Sequence, residues 1–281
     1  MSVFRPNGYA PLIYQCFISD IVQSQINASL GATINQITNK TLNSFLTPLP
    51  PTLTEQKAIA TALSDVDELI TNLDKIIAKK KDIKKGAMQQ LLTPPNKGGK
   101  RLPGFSGDWE ETKIEDFCYI SKGQLITSST LVAGTIPVIA GGKKPAYYHN
   151  AANRKGKTIT ISASGASAGY VAYHDYPIFA SDCSTIEEDN SYSIEFVYYL
   201  LMQMQSMIYF KQTGGAQPHI HASDLNPIEV IVPNKQEQES ISKVLRDMEL
   251  EITQLESKKE KYQAIKQGMM QELLTGKTRL I

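Results

Sequence analysis

This chain of 281 residues is poor in the features that announce an enzyme or a secreted protein. Its three cysteines, Cys16, Cys118 and Cys183, lie far apart with no CxxC pair. That excludes a disulfide framework, supports no zinc site and leaves buried thiols as their reading. No apolar run approaches the roughly 20 residues that span a bilayer, and the first residues lack a basic-then-apolar signal. The expectation is a cytoplasmic protein with no membrane partner. There is no GxxxxGK[ST] phosphate loop, no HExxH and no [DN]PP[YF] tetrapeptide of the kind adenine methyltransferases carry. Thr93-Pro94-Pro95-Asn96 reads as a linker. His219-Ile220-His221 supplies two imidazoles, but no third ligand follows at a usual spacing. Nothing here points to catalysis, a metal or a bound cofactor.

Acidic residues are missing from one long window. The net charge is +1, yet no Asp or Glu occurs between Phe117 and His174. Lys122, Lys143, Lys144, Arg154, Lys155 and Lys157 give that window +6. The stretch from there to Val232 is acid-rich, with Asp182, Glu187 and Glu195 among others against the single base Lys211. One face of this region is therefore expected to be positive and suited to a polyanion. The alternative is a solvated loop region that merely lacks acids.

What is present is a repeat. Residues 51–93 match residues 233–275 at a constant offset of 182, without a gap and with 18 of 43 positions identical. A period this long is two copies of a larger unit, not a solenoid. Apolar residues at 59, 63, 66, 70, 73 and 77, and at 241, 245, 248, 252 and 255, follow the four-three spacing of a coiled-coil seam. Each copy predicts one long helix of about 38 residues, about 57 Å at 1.5 Å per residue, and the two are expected to bury their stripes on each other. Pro51 and Pro233 stand just before the helices. Thr93-Pro94-Pro95 stops the first and Gly276 caps the second. Beyond the apolar part, both seams turn polar near Lys79–Lys85 and Lys258–Lys266.

Residues 94–107 read as a Pro/Gly-rich linker, and a new domain starts near Asp108-Trp109. Runs at 136–140, 158–164, 169–174 and 228–232, separated by Gly, Asn and Pro, predict short strands. A single helix is expected near 193–210. The fold class is α+β, a β-rich domain at 108–232 plus the two long helices.

Residues 1–50 align with the end of that domain at an offset of 183, with Asn7, Tyr9, Gly31, Ile37, Leu42 and Pro50 against Asn190, Tyr192, Gly214, Ile220, Leu225 and Pro233. They read as a C-terminal remnant of a first domain, and residues 10–25 as the counterpart of the 193–210 helix. The order is remnant (1–50), helix (51–93), linker (94–107), complete domain (108–232), then helix and tail (233–281).

Within the domain, Ser162, Ser164 and Ser167 lie in a run of small residues that lets backbone approach a partner closely, with hydroxyls to donate. A tight strand-to-strand loop is the alternative. Tyr147 follows Lys143-Lys144 and suits stacking on bases, or half-burial in a strand. Gln217, in a Gly-rich turn, suits bidentate contact with adenine, or a plain polar turn.

These parts in this order resemble the specificity (S) subunit of a type I restriction–modification system. The resemblance covers the whole chain. It is carried by Leu102-Pro103-Gly104-Phe105 with Trp109, Ile120-Ser121-Lys122-Gly123, Ile136-Pro137-Val138-Ile139 with Gly141-Gly142, Ser164 to Val171, Gly215-Ala216-Gln217-Pro218-His219-Ile220, and Pro233 with Glu237-Gln238 leading to Gln271-Glu272-Leu273-Leu274-Thr275-Gly276. It implies a non-catalytic subunit whose recognition domains each read half of a split double-stranded DNA target, set apart by two antiparallel helices. The implied partners are methyltransferase subunits, docking on the helices near Lys79–Lys85 and Lys258–Lys266, and an endonuclease subunit. Such a subunit has two complete recognition domains, so the chain reads as truncated at its N-terminus. It would act on one half-site, pair with a separately encoded half-subunit, or self-dimerise. A competing reading is a coiled-coil scaffold whose β-rich domain binds protein and has no salt-sensitive DNA affinity.

Overall fold

The computed structural model describes residues 8–30, 37–127 and 129–280. Two of the aligned pairs, those of Asn7 and Gly31, therefore lie outside the described residues. The chain forms two compact units, residues 1–81 with 251–281, and residues 82–250, and the division falls inside the two long helices.

The first unit begins with α1 (Ala10–Ile18), α2 (Asp20–Ser29) and α3 (Asn39–Asn43), followed by α4 (Leu53–Leu91), whose residues to 81 belong here. The second contains β1 (Glu110–Lys113), α5 (Ile114–Phe117), β2 (Ser121–Lys122), β3 (Ala133–Ile139), β4 (Tyr147–His149), β5 (Thr158–Ser162), β6 (Val171–His174), β7 (Phe179–Ala180) and β8 (Cys183–Glu187). Next come α6 (Ile194–Gln203), α7 (Gln205–Phe210), α8 (Ala222–Leu225), β9 (Glu229–Val232) and α9 (Lys235–Leu273), which returns to the first unit at Glu251. Among the described residues, no helix is long and apolar enough to cross a membrane.

The long helices start with the same side chains doing the same work. The Thr52 hydroxyl accepts from the Glu55 N–H, and the Asn234 amide oxygen accepts from the Glu237 N–H, so each helix has a polar cap on its free donors. Gln56 accepts from the Tyr9 N–H at the cap of α1 (3.0 Å) and donates to the Pro50 carbonyl. Gln238 accepts from the Ser193 N–H at the cap of α6 (2.9 Å) and donates to the Pro233 carbonyl. Glu55 holds the guanidinium of Arg279, which lies beyond the end of α9 (2.6 Å). Glu237 holds that of Arg101, beyond the end of α4 (2.6 Å). Arg101 also donates to the Ser106 carbonyl, which ties the linker to the start of α9.

The helices run antiparallel. Asp67 pairs with Lys266, Asp74 with Lys259 and Lys80 with Glu251 in the first unit, and Lys84 pairs with Glu249 in the second. The polar part of the seam is thus cross-paired by charge. Ile59 and Leu63 are buried with Leu273, Leu274, Leu12 and Cys16. Ile241 and Leu245 are buried with Leu91, Leu92 and the apolar face of α6.

The expected single helix at 193–210 is a correction: it breaks at Met204 into α6 and α7. The counterpart segment breaks likewise, at Ser19. The caps place Tyr9 opposite Ser193, one residue away from the register of the sequence alignment.

In the second unit the first and last strands, β1 and β9, pair antiparallel and close the domain at its entry and exit. A four-stranded antiparallel sheet has the order β2-β8-β5-β6, and a smaller one the order β4-β3-β7 with β3 and β7 parallel. β5 is buried along its whole length. Its Ile159 and Ile161 join Ile186, Val171, Phe196 and Leu201 in a core between the four-stranded sheet and α6. Burying each such side chain is worth about 1.5–3 kcal/mol.

Candidate nucleic-acid interface

Most of the charged and hydroxyl residues singled out by the sequence lie around the two ends of β5, with Lys122 two strands away on β2. At the C-terminal end of β5 four loops meet. Ser162 closes the strand, and the following turn returns through Tyr170 with hydrogen bonds from Ser162 N–H to the Tyr170 carbonyl and from Gly169 N–H to the Ser162 carbonyl. Gly169 has φ +79°, and a Cβ there would lie 3.0 Å from Ile208, so glycine suits this turn on both counts. The 181–183 loop joins through the Ala163 N–H, which donates to the Asp182 carbonyl (3.2 Å). The 213–220 loop joins through Gly165 N–H to the Pro218 carbonyl (3.0 Å) and Ile220 N–H to the Ala163 carbonyl (3.0 Å). The 140–145 loop crosses so close that a Cβ on Gly141 would sit 2.7 Å from the Ser164 carbonyl oxygen.

This arrangement fixes what each loop presents. Lys143 and Lys144 are exposed, with the Lys143 ammonium 5.2 Å from the centre of the Tyr170 ring. Such a cation–π contact orients the side chain without neutralising it. Tyr147 and Tyr148, on β4, are 48% and 56% exposed. Gln217 is exposed at the tip of a small hairpin made by reciprocal backbone hydrogen bonds between Thr213 and His219. Ser164 and Ser167 are half-buried, and the Ser164 hydroxyl donates to the Asp182 carboxylate. Ser162 is a correction. It is only 3% exposed, and its hydroxyl donates to the Gly141 carbonyl (2.8 Å), so it fastens two loops instead of facing a ligand.

Beneath the lysine loop is a small cavity of about 80 Å³ bordered by Lys143, Lys144, Thr160, Tyr170, His174 and Tyr176. Burial depresses the His174 pKa to about 4, only partly opposed by the nearby Asp175 carboxylate. The imidazole is neutral at pH 7 and hydrogen-bonds the Thr160 hydroxyl (2.9 Å).

At the N-terminal end of β5 the outcome differs. Arg154 is a second correction. Its side chain is 13% exposed and pairs with Glu187 (3.0 Å). It also donates to the hydroxyls of Thr185 and Ser121 and to the carbonyls of Asn153 and Lys122. That satisfies the guanidinium inside the protein. Lys157 pairs with Glu195 (3.2 Å), which also holds Arg246. Both acids lie outside the acid-free window and are returned to it by β8 and α6. Lys155 remains exposed, as does Lys122, which stands on β2 opposite Ser184 and so level with Ile161.

One residue of this site escaped the sequence reading. Asp182 follows the acid-free window in the chain, but the strand order β8-β5 carries it into the loop cluster beside Gly141 and Ser164.

The chain is similar to known proteins along most of its length. It is 29% identical over 280 residues to the MjaX specificity subunit and 27% over 285 residues to the MjaVIII specificity subunit, both of type I restriction enzymes of Methanocaldococcus jannaschii. These matches cover 92% and 89% of this chain, which spans 64% and 66% of the relatives' own lengths. Its fold matches the crystal structure of a type I restriction–modification S subunit from M. genitalium with a TM-score of 0.70 at 21% identity, over 94% of this chain and 72% of that one. The family model for the type I restriction modification DNA specificity domain matches residues 1–84 and 106–267, and the chain belongs to that family.

Proposed function

We propose that this protein selects the DNA target of a type I restriction–modification complex, and that residues 108–232 read one half of a split duplex site. The observation that carries the reading is the loop cluster at the end of β5. Two exposed lysines, Lys143 and Lys144, lie in the same cluster as Ser164, Ser167 and Gln217, whose loops are joined by backbone hydrogen bonds, and Tyr147 is exposed on β4, the strand that follows the lysine loop. In this reading Lys143 and Lys144, with Lys122 and Lys155 outside the cluster, fix the duplex by its phosphates. Ser164, Ser167, Gln217 and Tyr147 meet base edges in the major groove, where each base pair has a distinct donor and acceptor pattern. Arg154, Lys157 and Ser162 hold the loops in place from behind.

The chain does no chemistry of its own here. Methyltransferase subunits bring the methyl donor, an endonuclease subunit joins for cleavage, and the paired helices α4 and α9 provide the docking ground and set the spacing between half-sites. The full chain co-expressed with its methyltransferase subunits is expected to methylate a defined set of genomic sites. The test is to map modified adenines with and without this chain. Methylation restricted to one recurring motif, lost when this chain is omitted, supports the reading. A motif unchanged by its omission contradicts it.

A further inference from the structure

Asp182 is the feature of the loop cluster that phosphate binding does not explain. Resting on the DNA-recognition reading above, we propose that Asp182 reads an exocyclic amino group of a base, cytosine N4 or adenine N6, in the major groove.

Three observations carry this. The first is charge. Glu187, Glu195 and Glu237 are each held by an arginine or lysine, whereas among the described residues Asp182 has no ion pair, although Lys143 and Lys144 ride on the adjoining loop. An unneutralised carboxylate beside phosphate-binding lysines repels the DNA backbone. Its favourable partner on a duplex is an amino group on a base edge, because a carboxylate only accepts hydrogen bonds. The second is rigidity. The backbone around Asp182 is fixed on both sides, by Ser181 N–H donating to the Ile139 carbonyl (2.7 Å) and by Ala163 N–H donating to the Asp182 carbonyl. Cys183 next to it is buried at 2% exposure. The third is orientation. The Ser164 hydroxyl occupies Oδ2, Oδ1 accepts no hydrogen bond from the described residues, and Asp182 itself is half-buried and still partly open to solvent. A fixed acceptor with one vacant oxygen discriminates between bases, where a flexible surface carboxylate does not.

The experiment is selection from random-sequence duplexes by the full chain with its methyltransferase subunits, for wild type, Asp182→Asn and Ser164→Ala. Wild type is expected to prefer cytosine or adenine at one half-site position, and the base recovered there tells the two amino groups apart. Asp182→Asn is expected to lose about 5–150-fold of discrimination at that position alone, with binding to unrelated DNA unchanged or stronger. Ser164→Ala, which keeps the carboxylate but unties it, is expected to weaken discrimination at the same position. A wild-type scan with bases lacking the amino group gives a check that does not depend on a variant folding: affinity falls at that one position. Unchanged base preferences in Asp182→Asn, whatever Ser164→Ala does, or equal losses on every sequence, would overturn the assignment. Absence of any selected sequence for wild type would sink the DNA reading itself.

Discussion

The two ends of β5 carry the same kinds of residue, taken from the same acid-free stretch, yet they are used differently. At the N-terminal end Arg154 and Lys157 are matched by Glu187 and Glu195. At the C-terminal end Lys143 and Lys144 stay exposed. The difference comes from what lies across the sheet. β8 runs antiparallel to β5, so Glu187 stands opposite Thr158 while Cys183 stands opposite Ser162. The end of β8 that carries Glu187 therefore meets the start of β5, and the loops carrying Lys143, Lys144 and Asp182, which form no ion pair among the described residues, meet its end. A charge window in a sequence counts residues; it does not count the partners that strand pairing returns to them.

The largest effect that sharpens this contrast is on stability. Arg154→Ala removes a guanidinium that is 13% exposed and has five partners, and is expected to cost about 2–3 kcal/mol in chemical denaturation followed through Trp109, mainly from the lost charge-assisted hydrogen bonds. Lys144→Ala should change the same transition by no more than about 0.5 kcal/mol. Equal losses for both would remove the distinction between the two ends.

A smaller effect concerns pH. The His174 pKa is depressed to about 4, so the unfolded chain takes up a proton near pH 6.5 that the folded chain refuses. The contribution is complete above about pH 6.5 and is lost as pH falls toward 4. Stability should drop by about 2 kcal/mol between pH 7 and pH 5 from this group, and His174→Gln should remove that part of the slope. An unaltered pH dependence in the variant would show that the imidazole is not shielded beneath the lysine loop.

Smallest is the pair between Lys157 and Glu195. Lys157 is 43% exposed at its side chain, so a double-mutant cycle with alanine at both positions should return about 0.5–1 kcal/mol. A coupling energy of zero would return Lys157 to the pool of cations free to meet DNA.

Much of the fold was legible because it rests on periodicity and repetition. The seam positions Ile59, Leu63, Ile241 and Leu245 mark both long helices, and Pro51 and Pro233 mark their starts. The strands at 158–162 and 229–232 showed their β-branched runs. β8, Cys-Ser-Thr-Ile-Glu, did not, because its hydroxyls are buried by cross-strand hydrogen bonds such as that between Ser121 and Thr185. β1, Glu-Glu-Thr-Lys, is polar and exists through pairing with β9 over a separation that no local pattern carries. At the site, the lysine loop and the run of small residues containing Ser162, Ser164 and Ser167 could be read directly. The neutralisation of Arg154, the burial of Ser162 and the arrival of Asp182 all depend on pairings between distant segments.

The most direct test of the central claim is the salt dependence of DNA binding by the full chain with its methyltransferase subunits. The Lys143→Ala, Lys144→Ala double variant should lower the slope of log affinity against log salt by about 2, equally on preferred and unrelated duplexes, while Lys157→Ala leaves it unchanged. A double variant with the wild-type slope would contradict the account.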